Sequence, residues 1–214
     1  MELQRTANAG VLLKMDGVSV LLDGLADRVE GYVPTPAAIA DQLLQSPPDI
    51  LAFTHGHADH CSEALLLPYR QQNLRPILGP ESLYQGTVKV GNVTITPVSS
   101  RHLGKAEPGL QHVSYILEGS RCVWFLGDAA PIQWRNRTDL PRPDVILAPY
   151  AYGNTKLCWE LACSLTEKLV LLHLPERDKD PFGLWQSVEQ VTAGNTSMKL
   201  WIPEIGERLV IFDR

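Results

Sequence analysis

The chain has 214 residues, a formal net charge of −5 and 44% hydrophobic side chains. That suits one soluble globular domain over 1–214, large enough to bury a core, and the mild acidity argues against a nucleic-acid binder driven by phosphate contacts. No apolar run approaches a membrane span, Met1-Glu2-Leu3-Gln4-Arg5 lacks the pattern of a secretory signal, and Cys61, Cys122, Cys158 and Cys163 form no Cys-x-x-Cys pair, so a cytoplasmic protein with reduced thiols is expected.

In chain order, Leu3 to Asp23 predicts two or three strands. Val11–Met15 and Val18–Leu22 flank Asp16-Gly17, a two-residue hairpin signal. Asp23 ends the second strand, where it either faces a ligand downstream or starts a turn; the turn is the expectation. Thr35 reads as the cap of a helix with Pro36 at its first position, running to Leu44 and stopped by Pro47-Pro48. Asp49 to Phe53 is a short buried strand. Ser62 to Gln72 is helical, with Pro68 expected to kink or split it. Pro76–Leu78 is a short strand and Pro80–Tyr84 a helical turn. Thr87–Val90 and Val93–Val98 flank Gly91-Asn92, another hairpin signal. Val113–Leu117, Arg121–Leu126, Asp144–Ala148 and Leu169–Leu172 are strands, and Thr155–Leu165 and Phe182–Val191 are helices. Lys199–Ile202 with Arg208–Ile211 is expected to close the sheet. Two β-rich halves, each carrying helices, suggest sheets packed face to face with helices outside.

The chemistry concentrates in Thr54-His55-Gly56-His57-Ala58-Asp59-His60, directly after the strand at 49–53. A solvated polar loop is the plain alternative, but such loops rarely hold half of a chain's histidines. Imidazole and carboxylate suit Zn, Fe or Mn. Alternate residues of an extended segment point the same way, so His55 and His57 can reach one ion together. Asp59 and His60 then lie where the chain turns, within reach of a second. Three further polar residues follow strands, where rigid scaffolds display chemistry: His102, Asp128 behind Gly127, and His173. Singly, each of these is more often a turn or core residue.

The order His-x-His-x-Asp-His (His55, His57, Asp59, His60), then His102, then Gly127-Asp128, then His173 resembles the metallo-β-lactamase fold hydrolases, from Asp23 to at least His173. The resemblance implies an α/β fold, a four-layer αββα sandwich with the site at one edge. It implies that His55, His57 and His102 hold one metal, that Asp59, His60 and His173 hold the second, and that Asp128 bridges them. Two divalent ions, zinc first and manganese or iron as alternatives, would then activate a hydroxide as nucleophile, because a bound divalent ion lowers the pKa of water to about 7. Asp59, the only carboxylate of the opening motif, could take the proton from that water. Ala129-Ala130 depart from the family, which often carries a hydroxyl there. Cys61 is expected to be a small buried thiol at a helix start, and His112 is left out of the metal shell.

Within the family, the Val98–His102 segment and the short chain look most like the L-ascorbate-6-phosphate lactonase-like group. The family's nucleic-acid processing members carry an inserted domain or a basic exosite, which this chain lacks. Little chain follows His173 for the added helical segment usual in glyoxalase-type thioester hydrolases. The flavin-partnered di-iron reductases place Glu where His57 stands, which favours hydrolysis. The expected activity is cleavage of a small ester, lactone, amide or phosphodiester; an iron-dependent oxygenase of the sulfur dioxygenase type and a non-catalytic metal-bound sensor are the alternatives. The loops at 104–109, 131–137 and 150–156 should border the metal edge. Their neighbourhood holds Arg101, Arg135, Arg137 and Lys156, which suit an anionic group on a small-molecule substrate. No nucleic-acid or membrane partner is expected, and self-association is left open.

Overall fold

The computed structural model describes residues 1–105, 107–194 and 197–213. In chain order the strands and helices are β1 (Glu2–Arg5), β2 (Val11–Met15), β3 (Val18–Leu22), α1 (Ala37–Gln45), β4 (Ile50–Ala52), α2 (Glu63–Gln71) and β5 (Ile77–Leu78). Then come β6 (Val88–Val90), β7 (Val93–Ser99), β8 (Val113–Glu118), β9 (Cys122–Phe125), β10 (Val145–Pro149), α3 (Lys156–Leu165), β11 (Lys168–Leu172), α4 (Leu184–Thr192), β12 (Lys199–Trp201) and β13 (Arg208–Val210). Asp16 and Gly17 turn β2 into β3 with φ of 53° and 80°, the doubly positive pair that a tight hairpin needs.

Two mixed sheets result, one in the order β13-β1-β2-β3-β4-β5 and the other β12-β11-β10-β9-β8-β7-β6. Strand periodicity explains the layers. Along β8, Val113, Tyr115 and Leu117 point between the sheets and meet Leu13, Val20, Leu22 and Ile50 in one buried cluster. Ile116, from the other face of β8, joins Trp124, Ile146 and Leu171 beneath Trp159 of α3 and Val188 of α4. On the opposite side Leu12, Leu21 and Leu51 pack under Leu43 of α1 and Leu66 and Tyr69 of α2. Both sheets are therefore buried on both faces, an αββα sandwich, and each fully buried aliphatic side chain contributes about 1.5–3 kcal/mol. Among the described residues no helix is long and apolar enough to cross a membrane.

Three local expectations change. Thr35 does not cap α1, whose N-cap is Pro36 with no side-chain bond; its hydroxyl instead accepts from the Ala26 N–H and donates to the Gly24 carbonyl, tying the preceding loop. Pro68 does not split α2, which runs through it with Ser62 capping the Leu65 N–H and Leu66 and Tyr69 buried; packing outweighs the lost backbone bond. The last two strands do not close one sheet: β12 pairs with β11 and β13 with β1.

What positions the site is strand direction. β3 and β4 run parallel, as do β9, β10 and β11. β7 is antiparallel to β8, and β8 to β9, so β7 shares the direction of β9. The carboxyl ends of β3, β4, β7, β9 and β11 thus feed loops to one rim, where open α/β sheets place ligands.

Candidate metal centre

Seven side chains from four of those loops meet at the rim. His55, His57, Asp59 and His60 follow β4, His102 follows β7, Asp128 follows β9 and His173 follows β11. Three sets have ligand atoms within 4.8 Å of one another: His55 with His57 and His102, His55 with His60 and Asp128, and Asp59 with His60 and His173. Asp128 is the hub. Its Oδ2 lies 3.3 Å from His60 Nε2, 3.5 Å from His102 Nε2 and 3.3 Å from His173 Nε2. Asp59 Oδ2 lies 3.1 Å from His173 Nε2.

Backbone bonds lock the loops together. The Leu103 N–H donates to the Asp128 carbonyl at 2.8 Å and the Ala130 N–H to the Arg101 carbonyl at 2.8 Å, so the His102 and Asp128 loops are zipped side by side. The Val113 N–H donates to the Thr54 carbonyl and the His173 N–H to the Asn8 carbonyl, crossing from one sheet to the other. His173 and Asp23 both hold positive φ, 60° and 46°, which turns the chain sharply into the rim; such strain costs of order 1–3 kcal/mol each and clusters at functional sites.

For His55, His57, His60 and His102 an outer partner decides which nitrogen faces inward. His55 Nδ1 lies 3.0 Å from Thr54 Oγ1, which itself donates to Asp23 Oδ2 at 2.6 Å, so His55 donates from Nδ1 and leaves Nε2 bare. His60 donates from Nδ1 to Asp23 Oδ2 at 2.8 Å, and His102 from Nδ1 to the Leu103 carbonyl at 2.6 Å. His57 is reversed: its Nε2 meets Glu107 Oε2 at 3.1 Å, which turns Nδ1 toward His55 Nε2 at 2.9 Å. Two ring nitrogens that close must share either a proton or a metal cation. The buried Nε2 atoms of His60, His102 and His173, and Asp128 Oδ1, have no hydrogen-bond partner. Imidazole nitrogens, carboxylates and orphaned buried atoms of this kind fit divalent Zn, Mn or Fe, with outer carboxylates and carbonyls fixing ring orientation.

Residues 2–171 match the family model described as the beta-lactamase superfamily domain. The chain belongs to the metallo-β-lactamase superfamily. Solved structures agree on the fold. Igni18, a metallo hydrolase from Ignicoccus hospitalis, is similar at a TM-score of 0.66 and 20% identity, over 99% of each chain. A possible metal-dependent hydrolase from Veillonella parvula is similar at 0.67 and 15% identity, over 98% of each chain. CmlA, a diiron β-hydroxylase from Streptomyces venezuelae, gives 0.62 and 13% identity over 97% of this chain and 53% of its own, so this chain spans about half of that protein. A comparison with curated proteins gives no match.

Within this superfamily member's cluster, buried carboxylates and imidazoles set one another's proton affinity. Burial disfavours a charged His60, but the Asp128 and Asp23 carboxylates outweigh it and hold the imidazole well above its usual range. Burial likewise opposes His173, and Asp128 and Asp59 still raise it to about 9. Contact with Asp128 raises His102. Asp128 would be pushed up by burial, yet His173 and His60 hold it well below the carboxylate range. His55, by contrast, is driven down by burial and by His60.

Three contributors were not expected from the sequence. Asp23 is no mere turn residue: fully buried, it accepts from the Thr54 N–H and Oγ1 and from His60 Nδ1. Asn8 donates from Nδ2 to Asp59 Oδ2 at 3.2 Å, and buried Arg5 pins its loop through the Ala7 and Asn8 carbonyls. His112 explains its own exclusion from the ligand set. Its Nε2 accepts from the Asp128 N–H at 3.0 Å and its Nδ1 donates to Ser100 Oγ at 2.7 Å, so neither nitrogen is bare. Ser100 passes on to Ser114, which donates to the Leu126 carbonyl. Cys61 is half-buried rather than buried, packed against the cluster under α1 and α2, and this partial burial pushes its thiol up to about 12. Among the expected anion-binding cations, Arg137 is paired with Asp139 at 2.8 Å and Lys156 lies 3.8 Å from Glu160. Ala106, in the loop after His102, lies outside the described residues.

Proposed function

We propose that the centre holds two divalent cations, zinc foremost, and that the protein is a hydrolase of a small ester, lactone, amide or phosphodiester. His55 Nε2, His57 Nδ1 and His102 Nε2 would hold the first cation, Asp59, His60 Nε2 and His173 Nε2 the second, with Asp128 between them. The observation that carries this reading is the position of Asp128 Oδ2, within 3.5 Å of three imidazole Nε2 atoms drawn from both triads. When bound, the cations supply Lewis acidity and a water of lowered pKa. The chain's own part is orientation and proton handling. Asp23 and Thr54 hold His60 and His55 in their tautomers, Glu107 holds His57, and Asn8 holds the Asp59 carboxylate where it can take a proton from the attacking water. The substrate is a small molecule, and a cytoplasmic enzyme with reduced thiols fits the four free cysteines.

The test is metal analysis joined to a hydrolysis panel. Purified protein should carry close to two equivalents of zinc, manganese or iron, and His57→Ala and Asp128→Ala should each lose metal and activity while keeping the folded spectrum. Unchanged metal content in either variant would contradict the assignment. The L-ascorbate-6-phosphate lactonase-like group is tested by including a phosphorylated sugar lactone. A second reading, oxidation at an iron centre, draws support from the likeness to the diiron β-hydroxylase CmlA. Bound iron with substrate-dependent oxygen uptake, and no hydrolysis, would select it.

A further inference from the structure

We propose that the cleft lined by Tyr32, whose ring also contacts His173 of the metal centre, is the specificity pocket, and that it takes the neutral apolar part of the substrate, an aryl or branched alkyl group on an ester or lactone. The inference deepens the hydrolase reading and rests on it. Tyr32 is the shared wall. Its ring makes a T-shaped contact with His173, with centroids 4.6 Å apart at 69°, and Tyr32 also lines a cleft of about 700 Å3. That volume is in the range of small-molecule sites, roughly 300–1,000 Å3. Pro175, Pro181, Phe182 and Leu184 supply apolar walls, and Phe182 is 82% exposed, an aromatic face with nothing covering it.

The charges at the mouth argue against an anion. Arg177 is committed to Glu189 at 2.9 Å and stacks 3.8 Å above the Trp185 ring. Lys179 is committed to Glu176. Three carboxylates, Glu30, Asp178 and Asp180, line the same cleft. A substrate carboxylate or phosphate placed here would face those acids while both cations are already engaged, whereas a neutral ring would lie against Tyr32 and Phe182. A larger cleft, about 1050 Å3 around Met1, Lys14 and Arg121, includes the Asp16-Gly17 turn at the opposite end of β3 from Asp23, so it does not open onto the metal rim.

The test keeps one leaving group and varies the acyl part: ethyl acetate, ethyl phenylacetate and monoethyl succinate, with metal-loaded wild type and Phe182→Ala. Wild type should prefer the phenylacetate over the acetate by about tenfold or more in kcat/KM and disfavour the anionic succinate. Phe182→Ala should reduce the phenylacetate value about tenfold, mainly through KM, and the acetate value about twofold at most. A preference for the succinate, or an equal loss on both neutral esters, overturns the pocket while leaving the hydrolase reading intact. If metal-loaded protein cleaves none of the three nor any other hydrolase substrate, the hydrolase reading falls. The pocket is then judged by saturation-transfer NMR with 2-phenylethanol. A signal that Phe182→Ala abolishes supports it, and an equal signal in both proteins overturns it.

Discussion

At the scale of single residues, the centre is a problem in aiming lone pairs. A ring nitrogen is aimed at a cation most firmly where the other nitrogen has a partner that fixes the tautomer. Asp23 does this for His60 directly and for His55 through Thr54. Asp23→Ala should therefore weaken metal binding roughly 10–100-fold without removing any ligand, measured by competition with a chromophoric chelator. Unaltered affinity would show that packing alone holds His60. His112 acts differently, through the backbone of Asp128. Replacing it with Phe leaves a buried N–H unsatisfied, which costs about 1–3 kcal/mol and lets the Asp128 loop shift. His112→Gln can still accept from that N–H and donate to Ser100, so it should recover part of both the denaturant midpoint and the metal affinity. Equal losses in both variants would mean that the ring's shape matters and its hydrogen bonds do not.

At the scale of elements, the rim depends on loops held in register from both sheets. Gly127 sits at φ 54°, and a Cβ there would lie 2.6 Å from Thr54 Cγ2 and Oγ1. Gly127→Ala should destabilise by more than about 1 kcal/mol and also loosen metal binding, because Thr54 is the His55 partner. A thermal melt and a metal titration check both effects. The element scale is also where the sequence was most readable. Strand alternation, the Asp16-Gly17 turn and the helix expected over Thr155–Leu165 are local signals, and each is found in place, with Thr155 itself serving as the N-cap of α3. The opening motif was legible for the same reason: its four polar residues share one short segment. What escaped is long-range. Asn8 is 51 positions from Asp59, and Asp23 is 37 from His60, so no spacing links them. Thr35 and Pro68 misled because tertiary partners outweighed local preference: the Gly24–Ala26 loop claims one, and the core beneath α2 holds the other.

At the scale of the whole molecule, protons and cations compete for the same atoms, and the two triads compete unequally. His60 and His173 are both raised, and both belong to the Asp59 triad. In the other triad only His102 is raised, and His55 is lowered by burial. Cations entering the Asp59 triad must displace more protons, and its affinity should climb more steeply with pH. If the centre holds the two cations proposed above, metal content should fall from two equivalents to one on acidification from neutrality, with the Asp59 triad emptying first; dialysis at stepped pH followed by metal analysis checks the order. The metal-free protein carries the mirror image in its stability. A raised histidine stabilises the fold fully below its unfolded pKa of about 6.5, and for His173 this is lost as pH climbs through about 9. Asp59 and Asp128 are lowered, so their contribution is full above the unfolded carboxylate range and lost in acid. Chelated protein should therefore melt highest at weakly acidic pH and lose Tm from about pH 6.5 to 9.5, while loaded protein, whose histidines have exchanged protons for cations, should not. The gap between the two melting curves should widen with pH. A gap that stayed constant from pH 6 to 9 would mean that the buried histidines are neutral before any metal arrives.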